Sequence, residues 1–565
     1  MFLFNPQNFD PGDLDEASAE IMRKTINFFE EKGKARIKED DHQRVWYADF
    51  LKFVKKERIF ATLLTPSKYG KDAQRWDTYR NTFFNEILGF YGLAYWYTWQ
   101  VSILGLGPVW MSENEELKKQ AAQLLNDGAV FAFGLSERDH GADVYSTEMT
   151  LTPQSDGTWL ANGSKYYIGN GNEALMVSTL GKLADTGEFV FFTANFKHEK
   201  YELVKNIVAS QNYVAEFALH DYPVTEADIL ARGDAAWDAA MNTVNIGKYN
   251  LGWASIGMST HAFHESINHA SGRILYGNPV TDFPHVRNLF VDAYARLTAM
   301  RLFALRAADY MRTGSADDRR YLLYNAIVKM KVTTEGEGVV NLLWDVIAAK
   351  GFEKDTFFEI AARDIRALPK LEGTVHVNIA LIMKFLPNYF VNSAKFDEVE
   401  RQEHPNDDEF LFNQGPARGL GKVQFHDFRP VYGQNLQPNV AVFQKQIAGL
   451  ELMLMQARPE KSQLKDIDFL LSLGQMFTLV VYGQLVLENA AIYQTDSDTI
   501  DQMFEFMVRD FSAYALQLRD KPTTTEDQQA HCENMMLRPA VDTERFDRVW
   551  AEQVYPMRNT YNWND

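Results

Sequence analysis

One cysteine, Cys532, occurs in 565 residues. A single thiol excludes an internal disulfide and a thiolate metal cluster, and it fits a reducing cytoplasm, the compartment expected here. Basic charge is also in short supply. Lys and Arg number 57 against 76 Asp and Glu, a net charge of −19. A surface that acidic repels phosphate backbones, so nucleic acid is not an expected partner. Long apolar runs are missing too. The most apolar segment, "FLLSLGQMFTLVVYGQLVLENAAIY", is interrupted by Gln475, Gln484 and Glu488 and reads as a buried helix, with no membrane span expected. The opening "MFLFNPQNFDPGDLDEASAE" has no basic stretch before its acids, so no signal peptide is expected. The closing "NWND" matches no retention or peroxisomal address.

Apolar residues make up 46% of the chain and aromatics 13%, ample for several cores. Length alone implies three or four domains. Residues 1–128 read as an N-terminal helical domain: "DEASAEIMRKTINFFEEKGKARI" and "ENEELKKQAAQLLNDG" space apolar residues three and four apart. The period then drops to two. "YSTEMTLTPQSDGTWLANGSKYYIGNG" alternates and carries Asp-Gly at 156–157 and Asn-Gly at 162–163, pairs that favour tight hairpins. Residues 129–238 are therefore expected to form a β domain. From 239 to 395 the helical period returns, in "YARLTAMRLFALRAADYMR" and "NAIVKMKVTTEGEGVVNLLWDVIAAKGF". A polar connector with His404, Asp407, Asp408 and Glu409 follows, and 396–565 is expected to be an extra helical domain. The acids of the connector read as solvated, with no metal site. The fold class is α+β, mainly α.

The stretch "ALPKLEGTVHV", residues 367–377, places Glu372 among neutral and apolar neighbours with Gly373 and Thr374 directly behind it. By itself this is either an exposed charge beside a turn or a base in a reactive pocket. Four segments bear on the choice: "FAFGLSERDHGADV", "NGSKYYIGNGNEA", "SGRILYGNPV" and "AAKGFEKDTFFEIAARDIRALPKLEGT". Together, in this order, they resemble the acyl-CoA dehydrogenase family over residues 20–395. The best part is the spacing Gly351-Phe352, Arg363-Asp364, Glu372-Gly373-Thr374.

The resemblance implies FAD as cofactor, lying between the β domain and the bundle, and an enzyme of fatty acid β-oxidation and lipid metabolism. Glu372 takes the position of the family's base, which removes the α-proton of an acyl-CoA while the β-hydrogen leaves as hydride to flavin N5, giving a trans-2-enoyl-CoA. Leu135 and Ser136 take the positions of flavin contacts, with Ala142 where Ser is frequent. Tyr167, Ile168 and Gly169 correspond to the family's Trp-Ile-Thr. Arg273 and Tyr276 resemble an Arg-x-x-Phe-Gly that reaches the FAD pyrophosphate of a neighbouring subunit. Thr374 and His376 follow the base at FAD-touching positions, and Lys248 and Gly373 line the substrate pocket. Pro284, Asp345, Ala348 and Ala349 depart from the family where it holds the adenine end. The implied partners are an acyl-CoA, an electron-transfer flavoprotein as acceptor and a second copy in a homodimer, with the added C-terminal helices covering the surface that smaller members use to form tetramers. The alternatives are an acyl-CoA oxidase that passes electrons to oxygen, a flavin monooxygenase on the same fold, and a DNA-associated relative that −19 argues against.

Overall fold

The computed structural model describes residues 3–563 and divides into two compact units. One comprises 11–250 with 403–419; the other comprises 3–10, 251–402 and 420–563. The N-terminal helices share a unit with the β region, and the added C-terminal helices share a unit with the bundle.

In the first unit the helices begin on side-chain caps, as their sequences dictate. Asp15 accepts from Ser18 N, Asp77 from Arg80 N and Asn114 from Leu117 N. The aromatic helix Leu93–Met111 is buried over nearly its whole length. It carries Gly105 where a Cβ would lie 2.6 Å from Ala132 N, so only glycine lets the first strand pass this close. That strand, Phe131–Gly134, pairs in parallel with Met176–Leu183. The rest of the sheet runs, edge to edge, Tyr201–Asn206, Val214–Val224, Trp159–Gly169, Thr150–Pro153, Met176–Leu183, Phe189–Ala194 and Ile229–Arg232. Its core holds Met149, Leu151, Ala161, Phe192 and Phe217.

Asp156-Gly157 makes the turn between Thr150–Pro153 and Trp159–Gly169, with Gly157 at φ +86°. Asn162-Gly163 does not turn the chain. It sits inside Trp159–Gly169 at a register shift, with Gly163 at φ +141°, so the glycine makes a bulge rather than a hairpin. The connector also differs from expectation. Asp408 is buried and takes Thr78 N at 2.6 Å, while Asp407 takes Trp76 N at 3.0 Å and Ser67 N at 2.7 Å. These acids serve backbone amides that would otherwise be orphaned.

In the second unit the bundle is built on Pro284–Arg312 and on the helical stretch from Tyr321 to Ile347. The latter is not a uniform helix: Val328–Val332 is a π-helical turn. The C-terminal helices Ile467–Ile492 and Ser497–Arg519 pack onto Pro284–Arg312, and Pro438–Gln456 packs in turn on Ser497–Arg519. Ile467–Ile492 is, among the described residues, the one helix long and apolar enough to cross a bilayer, and 83% of its most apolar window is buried inside protein. Two buried ionic clusters link these helices to the bundle. In one, Arg296 holds Glu335 at 2.7 Å and Asp510 at 2.9 and 3.0 Å. In the other, Glu488 takes Arg306 Nε at 2.8 Å and Tyr310 OH at 2.9 Å.

Candidate active site

In the first unit the two segments assigned to the flavin ring lie side by side. Ser136 Oγ donates to Tyr166 O at 2.6 Å, and Tyr166 N donates to Ser136 O at 2.9 Å. A bulge between Lys165 and Ile168 follows in the pairing with Val214–Val224. It puts Tyr167 at φ +66° and leaves its ring 60% exposed, in T-shaped contact with Tyr166. Gly169 has a packing reason to be glycine. A Cβ there would come within 2.6 Å of Tyr97 and 2.7 Å of Val101, so the threonine of the family pattern has no room. Ile168 is buried beside it, and Asn170 anchors the strand end through Thr98 O and Phe131 O at 3.1 and 3.0 Å.

Behind Leu135 and Ser136 lies a charged cluster that the motif reading missed. Lys165 is fully buried and donates to Glu137 at 2.8 Å, Leu135 O at 3.1 Å and Thr147 Oγ1 at 3.1 Å. Burial pulls its ammonium down to about 8 even though Glu137 acts to raise it. Glu137 is held below the usual carboxylate range: burial opposes this, but Lys165 and the hydrogen bonds of Thr147 and Glu148 N outweigh it. The signal was in the sequence, since Lys165 falls at an inward position of an alternating strand.

Lys248, on the helix Gly233–Gly272, is buried. Its flanks are fixed by amides. Gly247 O accepts from Gln100 at 3.0 Å, and Asn250 bridges Gln100 and Asn85 at 3.0 Å each. Trp96 and Trp99 both donate to Asn85, at 2.8 and 3.0 Å. The crowded aromatics thus serve a polar network as well as a core.

In the second unit the chain around Glu372 makes a tight turn. Glu372 lies at φ +51° and Gly373 at φ +89°. A non-glycine residue in that region costs about 1–3 kcal/mol, and such strain concentrates at functional sites. Glu372 is half-buried, and Leu368, four residues earlier in the chain, is fully buried. Thr374 caps the helix Val375–Ile382 and, with His376, is exposed. Asn378 is fully buried and donates to Gly373 O at 3.0 Å and Thr374 O at 2.9 Å.

Arg273 is exposed just past Gly272. It opens a small hairpin, Ile274–Leu275 with Asn278–Pro279, turned by Tyr276 at φ +53° and Gly277 at φ +85°. Successive positive φ angles match the two-residue turn that suits strand twist. Tyr276 is 96% exposed at its tip. Among the departures, Pro284 is the first residue of the helix Pro284–Arg312, where its missing N–H does no harm. Ala348 stands at φ +55° with Asp345 exposed nearby in the chain, so the family's glycine pair is replaced without a change to a relaxed backbone.

The architecture runs from helices to a sheet to a bundle, and comparison with known proteins finds relatives that share it. The family "Acyl-CoA dehydrogenase, C-terminal domain" matches residues 235–386. An acyl-CoA dehydrogenase of Bacillus subtilis (strain 168) is 25% identical over 297 residues, 50% of this chain and 75% of that protein. A short-chain specific acyl-CoA dehydrogenase of Megasphaera elsdenii is 23% identical over 380 residues, 65% of this chain and 97% of its own. The crystal structure of an acyl-CoA dehydrogenase complexed with FAD from Bacillus anthracis superposes with a TM-score of 0.73 at 17% identity, over 99% of each chain. The fold thus extends to the added C-terminal helices. Residues 235–386 thus match the acyl-CoA dehydrogenase family, and the chain is similar to the two dehydrogenases over 75% and 97% of their length.

Proposed function

We propose that this protein is an FAD-dependent acyl-CoA dehydrogenase that converts an acyl-CoA thioester to the trans-2-enoyl-CoA and passes the electrons to an electron-transfer flavoprotein. The observation that carries the reading is Glu372, half-buried and held at positive φ beside Gly373. The residues fit the cofactor on a feature of the fold. The Ser136 and Tyr166–Gly169 segments are bonded to each other and present an exposed aromatic ring. With its proton given to Tyr166 O, Ser136 Oγ keeps lone pairs to accept from a ring N–H. FAD, when bound, supplies the hydride acceptor. Arg273, exposed with a planar fork of donors, suits its pyrophosphate.

The chemistry of this chain's own residues follows. The Glu372 carboxylate takes the pro-R α-hydrogen as a proton. The β-hydrogen leaves with its electron pair, and the α–β carbon bond becomes double. Gly373, lacking a Cβ, lets substrate approach the backbone.

Anaerobic titration of the yellow protein with butyryl-, octanoyl- and palmitoyl-CoA tests the reading. Flavin bleaching with enoyl-CoA formed is expected, and no bleaching with any acyl-CoA would overturn it. Admission of air then separates dehydrogenase from oxidase: slow recovery of colour supports the former, recovery at the rate of turnover the latter. We also propose a homodimer. Ile274 and Tyr276 on the hairpin are left 59% and 96% exposed, apolar area that calls for cover.

A further inference from the structure

We infer that Lys329 and Asn378 are positioning residues that hold the Glu372 turn in its productive shape, an inference that rests on Glu372 being the base as proposed above. The turn carries two successive left-handed residues, Glu372 and Gly373, so its geometry has to be imposed from outside. Two side chains from different elements impose it, and neither is exposed to solvent. Lys329 Nζ donates to Pro369 O at 2.8 Å, three residues before the carboxylate. Asn378 Nδ2 donates to Gly373 O at 3.0 Å and Thr374 O at 2.9 Å, directly after it. Three carbonyls that bracket Glu372 are therefore fixed by two buried groups.

The helix that supplies Lys329 is built for this. Lys329 lies in the π-helical turn Val328–Val332. One extra residue in a turn rotates the side chains on its two sides by about 100° relative to each other. The carbonyls loosened by the insertion are taken by hydroxyls. Thr333 Oγ1 donates to Lys329 O at 2.5 Å, and Thr334 Oγ1 donates to Met330 O at 2.9 Å and Lys331 O at 3.0 Å. The irregular turn is thus stabilised by its own sequence, Lys-Met-Lys-Val-Thr-Thr, and delivers the Lys329 amine to Pro369 O. Such turns recur at functional sites.

The chemistry makes the placement matter. Proton removal needs the carboxylate within hydrogen-bond reach of the α-carbon, and a misplacement of about 1 Å costs roughly 10²-fold in rate. Loosening the turn should therefore slow proton removal while substrate binding is retained.

The test uses the FAD-containing holoenzyme and the variants Lys329→Met, Asn378→Ser and Lys329→Arg. Hydrogen–deuterium exchange over residues 368–376 reports the turn directly. Anaerobic flavin bleaching, with whichever of butyryl-, octanoyl- or palmitoyl-CoA reduces the wild type fastest, reports the chemistry. The α-dideuterated form of the same substrate reports whether proton removal limits it. Lys329→Met and Asn378→Ser should exchange faster at the turn, bleach about 10²-fold more slowly and show a larger isotope effect, with FAD content and half-saturating substrate concentration unchanged. Lys329→Arg, which keeps a donor, should recover much of the rate. If Lys329→Met does not fold, Asn378→Ser decides alone. Wild-type exchange, rate and isotope effect in Asn378→Ser would overturn the inference. Wild-type bleaching in Glu372→Gln would instead overturn the base assignment, and the exchange data would still decide whether the two side chains hold the turn.

Discussion

Replacement of Glu488 by Gln measures how firmly the added C-terminal helices are joined to the bundle. Glu488 sits on Ile467–Ile492 with its side chain 10% exposed, and Arg306 on Pro284–Arg312 is 5% exposed. Beyond Arg306 and Tyr310, the carboxylate takes Gln484 Nε2 at 2.7 Å and lies 3.2 Å from His426 Nε2. Arg320 donates to His426 Nδ1 at 2.8 Å. Burial alone would raise the carboxyl, but the hydrogen bond of His426 and the charge of Arg306 hold it at about 2. A carboxyl depressed that far from its ordinary 4.5 contributes about 3 kcal/mol at pH 7. Its sign follows from the depression: the contribution is complete above pH 4.5 and is lost as pH falls toward 2. Asp309, also on Arg306 at 3.0 Å, is raised by burial and opposes this by favouring the folded state as pH falls. Urea unfolding followed by tryptophan fluorescence should show Glu488→Gln less stable than wild type by about 3 kcal/mol at pH 7, with the gap roughly halved at pH 3. Equal stability at pH 7, or a gap that does not change with pH, would refute the reasoning.

Other outcomes follow from the same packing and charges. Gly169→Thr should cost about 1–3 kcal/mol in thermal stability, because its side chain meets Tyr97 and Val101, and an unchanged melting temperature would contradict the close approach. Lys165→Met should cost about 3–5 kcal/mol by leaving Glu137 buried without its cation, read by the same melting experiment. Arg273→Ala should lower FAD content and shift the assembly toward monomer in light scattering. Unchanged cofactor and mass would remove Arg273 from the cofactor site.

Much of this was legible in the sequence where a local period or motif was involved. The drop to a period of two announced the sheet, and Asp156-Gly157 announced a true turn. Asn162-Gly163 misled because the same dipeptide serves a bulge as readily as a hairpin when its neighbours stay paired. The Glu-Gly-Thr spacing pointed to the turn that the structure shows, but not to the side chains that hold it. Lys329 and Asn378 act through backbone carbonyls, and a donor to a carbonyl leaves no mark on the residue it touches. The π-helical turn was equally hidden, since an apolar pattern spaced three and four apart runs through it almost undisturbed. Which segments share a compact unit was not legible for a related reason. Composition marks a polar connector, but it does not tell which acids, such as Asp407 and Asp408, are engaged with a distant segment.

The central claim is that Glu372 removes the α-proton, and stopped-flow reduction of the Glu372→Gln holoenzyme tests it most directly. Gln keeps the shape and a hydrogen-bonding carbonyl but cannot take a proton. Mixed anaerobically with the acyl-CoA that bleaches wild type fastest, the variant should still bind substrate, seen as a shift in the flavin spectrum. It should bleach slower by about 10²–10⁴-fold or more. Bleaching at the wild-type rate would contradict the account and move the base to another residue.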